Sequence, residues 1–292
     1  MRLGQPESTA EAIHQLVAAD GEAKVIAGGT AVVLMMQQRL IAPEVLVSLG
    51  NIPDFAGIRV HDAGITIGAG TTLRHIAASE PIRDRYPSLA TACRQVGNIR
   101  IRNAATIGGN LAEADYASDP PAVLVALEAM VRIAGPDGDR VSSVDELVLG
   151  FYATTLEPAE IITAIDLPPR HPSRDRDAYL KYISRSSEDR PCVGVAASAR
   201  FEEDEPETVS SLRVAIGAAT GAPRRFPEVE AMAGHRALDE DLMNEIAGAY
   251  SARIDPIDDL RGSAWYRRRM VHTFTRQALR AIARPGPARA SG

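Results

Sequence analysis

The chain has 292 residues, 45% apolar and 24% charged, with a net charge of −6. That suffices for two or three cores and leaves no bulk positive charge to attract nucleic acid. Two lone cysteines, Cys93 and Cys192, exclude a disulfide framework and any iron–sulfur cluster held by cysteines of this chain alone, and both read as small buried hydrophobes. No histidine spacing suits a metal, and no apolar run resembles a signal peptide or approaches the roughly 18–20 residues of a membrane span. A soluble cytoplasmic protein with no protein-held metal is the expectation.

Ser8-Thr9-Ala10-Glu11 fits a capping box ahead of Ile13, Leu16 and Val17 at helical spacing. That helix ends at Asp20-Gly21. Ala23–Ile26 reads as a buried strand, Gly28-Gly29-Thr30 breaks it, and Ala31–Leu40 reads as a helix capped by Thr30. Glu44–Leu49 is a further strand, so the first fifty residues alternate helix and strand. From Ile58 the pattern changes. Ile58–Val60 and Ile65–Ile67 form a hairpin, and helices follow near Leu73–Ala78 and Leu89–Val96. The glycine-bearing stretch AATIGGNLA (104–112) precedes a helix from Pro120 to Ala129. A second hairpin turns at Pro136–Asp139, and Glu160–Leu167 reads as a closing strand.

Residues 168–177 have the composition of a linker. Beyond them lie three strand-like segments (178–186, 192–203, 208–219) and helical segments at about 227–252 and 263–283. Three antiparallel strands covered by helices are expected, with a disordered tail.

Two glycine stretches stand out, IAGGTA (26–31) and TIGGNLA (106–112), with TIGAGTTL (66–73) similar in kind. Glycine has no Cβ to hold a ligand away. Successive free amides in such a loop make a concave anion site, and a following helix start adds its dipole. Gly-Gly pairs also make ordinary strand-to-helix turns, and neither stretch matches GxGxxG or GxxxxGK[ST]. Asp119 carries two readings: a cap for the helix that Pro120-Pro121 opens, or an acceptor for hydroxyls of a ligand. Asp115 reads as a solvated loop acid or as part of the same site.

AGGTA near position 30, RNAATIGGNLAEADYASDPPAVLVAL (102–127) and DLRGSAWYRRRM (259–270) together resemble the FAD-binding medium subunit of molybdenum hydroxylases, the family of carbon monoxide dehydrogenase and the separate-subunit relatives of xanthine dehydrogenase. The resemblance runs from about residue 5 to 283. It implies an α+β chain with a vanillyl-alcohol-oxidase-type (PCMH-type) FAD-binding fold. Two α/β subdomains (1–55 and 56–172) clasp FAD. A C-terminal α+β domain (178–284), a three-stranded antiparallel sheet with helices, flanks the flavin, and 285–292 form the tail. By resemblance, Ala27, Gly28, Gly29, Thr30 and Ala31 lie along the pyrophosphate and ribose, while Thr106, Ile107, Gly108, Gly109 and Asn110 approach from the other side. Asp119 meets FAD hydroxyls, Ile162 supplies an apolar contact, and Lys181 lies at the edge of the flavin site.

The sequence departs from the family in two places. Tyr116 stands where relatives carry proline, so that loop is expected to differ in shape. Arg190-Pro191 follows Glu188-Asp189 where some relatives place an aromatic against the flavin, and Arg190 reads equally as an exposed charge. The implied role is electron transfer: from two [2Fe–2S] clusters on an iron–sulfur small subunit, fed by a molybdopterin-bearing large subunit, through FAD to an external acceptor, in a dimer of heterotrimers. No residue reads as a catalytic acid, base or nucleophile of this chain. Two rivals stand beside this reading: a self-sufficient flavoenzyme of the same fold, and a non-catalytic interaction subunit. For the C-terminal arginine-rich stretch, docking to a partner competes with packing of an amphipathic helix that places Trp265 in the core.

Overall fold

The structure is a computed structural model that describes residues 1–186 and 188–283; the expected disordered tail, 285–292, lies outside the described residues. The first unit runs β1 (Arg2–Gly4), α1 (Thr9–Ala18), β2 (Ala23–Ile26), α2 (Val32–Gln37) and β3 (Val45–Ser48). Its strands form a parallel sheet in the order β1-β3-β2. Ser8 caps α1 through the Glu11 amide, but the Glu11 carboxylate reaches one residue further back, to the Glu7 amide. Ala12 and Leu16 bury one face of α1 while Val17 stays exposed. Thr30 does not cap α2: Ala31 takes the cap position with no side-chain bond. β1, three residues long and largely exposed, carries no pattern a sequence reading could detect.

The second unit begins with the hairpin β4 (Ile58–His61) and β5 (Gly64–Gly68). The helices α3 (Leu73–Ala78), α4 (Glu80–Arg85), α5 (Pro87–Gln95), α6 (Ile99–Ala104), α7 (Ile107–Glu113) and α8 (Pro120–Ala126) follow. Next come β6 (Met130–Gly135), β7 (Gly138–Ser143), α9 (Val144–Leu147), β8 (Val148–Gly150), β9 (Ala153–Thr154) and β10 (Ile161–Leu167). The main sheet is antiparallel, in the order β4-β5-β10-β6-β7. The closing strand thus enters the middle of the sheet. Ile165 of β10 faces Ile67 on one side and Val131 on the other, and all three are fully buried. Residues 99–104 and 107–113 are helical: α6 occupies the stretch before the glycines, and Gly108 and Gly109 lie in the first turn of α7.

The third unit has β11 (Asp175–Tyr182), β12 (Val193–Phe201), β13 (Thr208–Gly217), α10 (Pro227–Glu230), β14 (Arg236–Ala237), α11 (Glu240–Arg253) and α12 (Ala264–Ala283). The linker is therefore shorter than its composition suggests. Among the described residues the sheet has a fourth strand, giving β11-β12-β13-β14. β12 is buried on both faces. Val193, Val195, Ala197, Ala199 and Phe201 share a core with Ile246 of α11 and Leu279 of α12. Ala196, with Tyr179 and Ala215, joins instead the core of the first two units, which includes Val123 and Leu124 of α8. Small residues on that face let α8 lie against the sheet, which is why β12 reads as a continuous apolar run rather than an alternating one.

Trp265 is 64% exposed, contrary to its expected place in the core, whereas Arg267 is fully buried. The Arg267 guanidinium donates to the Ala218 carbonyl at 2.8 Å and to Asp259 at 2.5 Å; paired in this way, a buried charge is tolerated. The Arg269 guanidinium stacks over the Trp265 ring, 5.0 Å from its centroid.

Candidate cofactor site

Three glycine-bearing loops converge on one cleft. Ala27 and Gly28 come from the loop after β2, and Leu49 and Gly50 from the 3-10 turn after β3. Phe55, Gly70 of the loop after β5, Ala104 and Thr106 complete the lining. A Cβ on Gly28 would stand 1.9 Å from the Ala104 carbonyl oxygen, and one on Gly108 would stand 2.6 Å from Ala69 Cβ. These two glycines are bare because protein backbone lies against them. Gly109 is different: it is exposed, and its Cβ would meet only Thr106 Oγ1, at 2.9 Å. Gly29 has φ +70°, the left-handed region that favours glycine.

The two main loops also differ in their amides. In α7 the Ile107 amide donates to the Thr71 carbonyl, Gly108 to the Ala69 carbonyl, Gly109 to Thr106 Oγ1 and Asn110 to the Thr106 carbonyl. The anion nest expected there is closed by the protein's own acceptors. In the first loop, no amide of residues 28–31 donates to a protein acceptor among the described residues. Those N–H groups are the ones available to an anion.

Asp119 lies elsewhere, at the junction of α8 and β11. It has helical φ and ψ and makes no cap bond. Its Oδ1 accepts from the Tyr179 hydroxyl at 2.6 Å and its Oδ2 from Lys181 Nζ at 3.0 Å. Lys181 Nζ also donates to the Gln95 carbonyl at 2.9 Å. The Lys181 and Asp119 side chains are 4% and 3% exposed. Burial raises the carboxyl pKa, with the Lys181 charge and both hydrogen bonds pulling it down. Ile162 is buried in β10, paired with Ile133. The Asn110 side-chain amide and the Ser118 hydroxyl bond each other.

The loop before α8 is tied to the C-terminal unit. The Tyr116 hydroxyl donates to Asp259 Oδ2 at 2.8 Å and accepts from Arg261 Nη1 at 2.6 Å. Its ring meets Phe151 edge-on at 4.9 Å between centroids. Asp115 is ion-paired with Arg190 at 2.6 Å, so neither is a free solvated charge.

Residues 1–170 match the family model described as the FAD binding domain in molybdopterin dehydrogenase, and 178–282 match the CO dehydrogenase flavoprotein C-terminal domain. The chain belongs to the FAD-binding medium-subunit family of molybdenum hydroxylases. It is 33% identical to the carbon monoxide dehydrogenase medium chain of Hydrogenophaga pseudoflava, over 94% of each chain. It is 31% identical to the nicotine 6-hydroxylase medium subunit of Paenarthrobacter nicotinovorans, over 96% of each. A solved structure of the Hydrogenophaga pseudoflava carbon monoxide dehydrogenase, lacking the Mo-pyranopterin moiety, superposes with a TM-score of 0.91 at 32% identity, covering 97% of this chain and 96% of that one. As an FAD-binding medium subunit, the chain is a component of an oxidoreductase and has the fold class expected from its motifs.

The residues around the cleft suit the phosphates of a dinucleotide. It is open between the loops, Gly28 on its lining begins the run of unpaired amides, and Gly109 leaves the start of α7 uncovered. Of the residues expected at the cofactor, the structure puts Ala27, Gly28 and Thr106 on the cleft, sets Asp119 with Lys181 at the junction of α8 and β11, and places Ile162 in the core. Sequence reasoning missed Leu49, Gly50, Phe55 and Tyr179. Gly70 alone carried a signal, in TIGAGTTL.

Proposed function

We propose that this chain is the electron-transfer subunit of a molybdenum hydroxylase, a dimer of heterotrimers in the cytoplasm. Its partners are a small subunit with two [2Fe–2S] clusters and a large subunit with the molybdopterin cofactor, where the substrate is oxidised. The observation that carries the reading is the cleft lined by Gly28, where the run of free amides 28–31 begins, and by Thr106, which caps α7, in a chain whose two cysteines are both buried. Such a chain has a place for FAD and no ligands for a cluster.

The amides of Gly28, Gly29, Thr30 and Ala31 would hold the pyrophosphate, each charge-assisted bond contributing about 1.5–3 kcal/mol. Gly109 leaves room for close approach along α7, and Thr106 and Asn110 border it. Asp119 and Lys181 offer an acceptor and a cation at the junction with the third unit. What FAD supplies when bound is the redox chemistry, accepting electrons singly and releasing them in pairs; the protein binds and orients it.

Purified alone, the chain should be yellow, bind one FAD and oxidise no organic substrate. Mixed with iron–sulfur and molybdopterin subunits from the same source, it should show substrate-driven bleaching of the flavin. Steady turnover by the single chain, with no iron or molybdenum by elemental analysis, would replace this reading with a self-sufficient flavoenzyme.

A further inference from the structure

The junction between α8 and β11 holds more than a salt bridge. Tyr179 and Lys181 are two residues apart on β11, hence on one face of the strand, and both reach Asp119. All three side chains are at most 4% exposed. The opposite strand is shaped around them. Gly194 of β12 pairs with Lys181, and a Cβ there would stand 2.5 Å from the Tyr179 hydroxyl. The bare backbone of Gly194 is the seat of that hydroxyl.

An ammonium has three N–H donors. Lys181 gives one to the Gln95 carbonyl and one to Asp119 Oδ2, which leaves a third. The Tyr179 hydroxyl occupies Oδ1, so the carboxylate meets Lys181 through one oxygen only. Without that hydroxyl, Oδ1 would be a buried acceptor with no donor, a costly state. The carboxylate would turn to engage Lys181 with both oxygens and draw in the third N–H.

We propose that Tyr179 is a positioning residue of the flavin site: by holding Asp119 to a one-oxygen contact, it keeps Lys181 fixed with a donor and its charge available to the bound cofactor. The proposal rests on the reading that Asp119 and Lys181 border FAD. Tyr179 touches neither cofactor nor reacting atoms and acts through Asp119.

The test uses the full chain with Tyr179→Phe, which keeps the ring, and Gly194→Ala, which displaces the hydroxyl from the opposite strand. FAD dissociation constants and flavin midpoint potentials are measured beside urea midpoints of the apoprotein, with Lys181→Met as reference. Tyr179→Phe should weaken FAD about tenfold, the size expected for one hydrogen bond to a charged group. The potential should fall, because a misplaced cation disfavours the more negative reduced flavin; each tenfold by which reduced binding weakens beyond oxidised is about 30 mV for a two-electron couple. Gly194→Ala, if it folds, should move both quantities in the same direction. If Lys181→Met shifts affinity and potential but Tyr179→Phe changes only the urea midpoint, Tyr179 is an interdomain strut and the proposal falls. If Lys181→Met leaves affinity and potential at wild-type values, the placement of Asp119 and Lys181 beside FAD falls, and the proposal with it.

Discussion

Adjacent glycines in α7 should respond to substitution in opposite ways. A Cβ at position 108 would stand 2.6 Å from Ala69 Cβ and 3.0 Å from the Ala69 carbonyl oxygen, well inside the ~3.5–4.0 Å at which carbons pack. The Gly108 amide also bonds that carbonyl, so the two segments cannot separate without losing the bond. Overpacking of this kind costs about 1–3 kcal/mol, against a gain of about 1 kcal/mol for replacing a helical glycine. Gly108→Ala should therefore lower apoprotein stability by up to about 2 kcal/mol. At position 109 the side chain would point to solvent and touch only Thr106 Oγ1. Disturbing that cap costs about 1 kcal/mol, which the smaller helix gain of valine, a few tenths of a kcal/mol, offsets in part. Gly109→Val should then leave apoprotein stability within about 1 kcal/mol of wild type while weakening FAD binding by about a hundredfold or more, or about 2.7 kcal/mol. Urea denaturation of the apoproteins and FAD titration by fluorescence quenching separate the two effects. Wild-type FAD affinity in Gly109→Val would remove the start of α7 from the cofactor site. An unchanged urea midpoint in Gly108→Ala would show that the Ala69 segment yields freely. Gly29→Val cannot discriminate in this way, because φ +70° strains any side chain there.

Three further outcomes follow from the same geometry. Asp119→Ala should destabilise by about 3–5 kcal/mol in denaturant unfolding, because Lys181 is left buried and unpaired; Asp119→Ser, which offers a hydroxyl but no charge to Lys181, should not rescue it. Burial disfavours ionisation of Asp259, but the Arg261 amide, the Tyr116 hydroxyl and Arg267 outweigh it and hold the pKa at about 2. A folded pKa below the unfolded value contributes stability above about pH 4 that is lost as pH falls towards 2, so Asp259→Asn should reduce the drop in urea midpoint between pH 5 and pH 2, and an equal drop in both proteins would contradict it. Trp265→Ala should change stability by no more than about 0.5 kcal/mol, as an exposed side chain does, whereas Arg267→Ala should cost several times that by calorimetry, since the Ala218 carbonyl loses its donor and Asp259 loses a charged one.

Local patterns in the sequence determined much of the chain's organisation. The turns at Asp62–Gly64 and Pro136–Asp139 and the apolar segments flanking them fix the two hairpins, because turn chemistry and strand pairing act between near neighbours. The two glycine stretches and Asp119-Pro120-Pro121 pointed to the FAD-binding family. What each glycine is for was not legible. Gly28 and Gly108 are bare for Ala104 and Ala69, which come from the end of α6 and the loop after β5, and no local pattern encodes a backbone that folds back from elsewhere. The helical state of 99–104 and 107–113 was equally hidden, since Ile99, Ile101 and the paired glycines suit a strand and a turn by propensity. There the caps of Asn98 and Thr106 and the bonds to Thr71 and Ala69 decide for helix. Tyr179 and Gly194 gave no sign of function, because their role exists only where β11 and β12 meet α8, 60 residues from Tyr179 in the chain. Arg267 could not be told from its neighbours Arg268 and Arg269 by composition. Only the packing of α12 against the sheet, and the Asp259 carboxylate that meets it there, turn one arginine of three into the core.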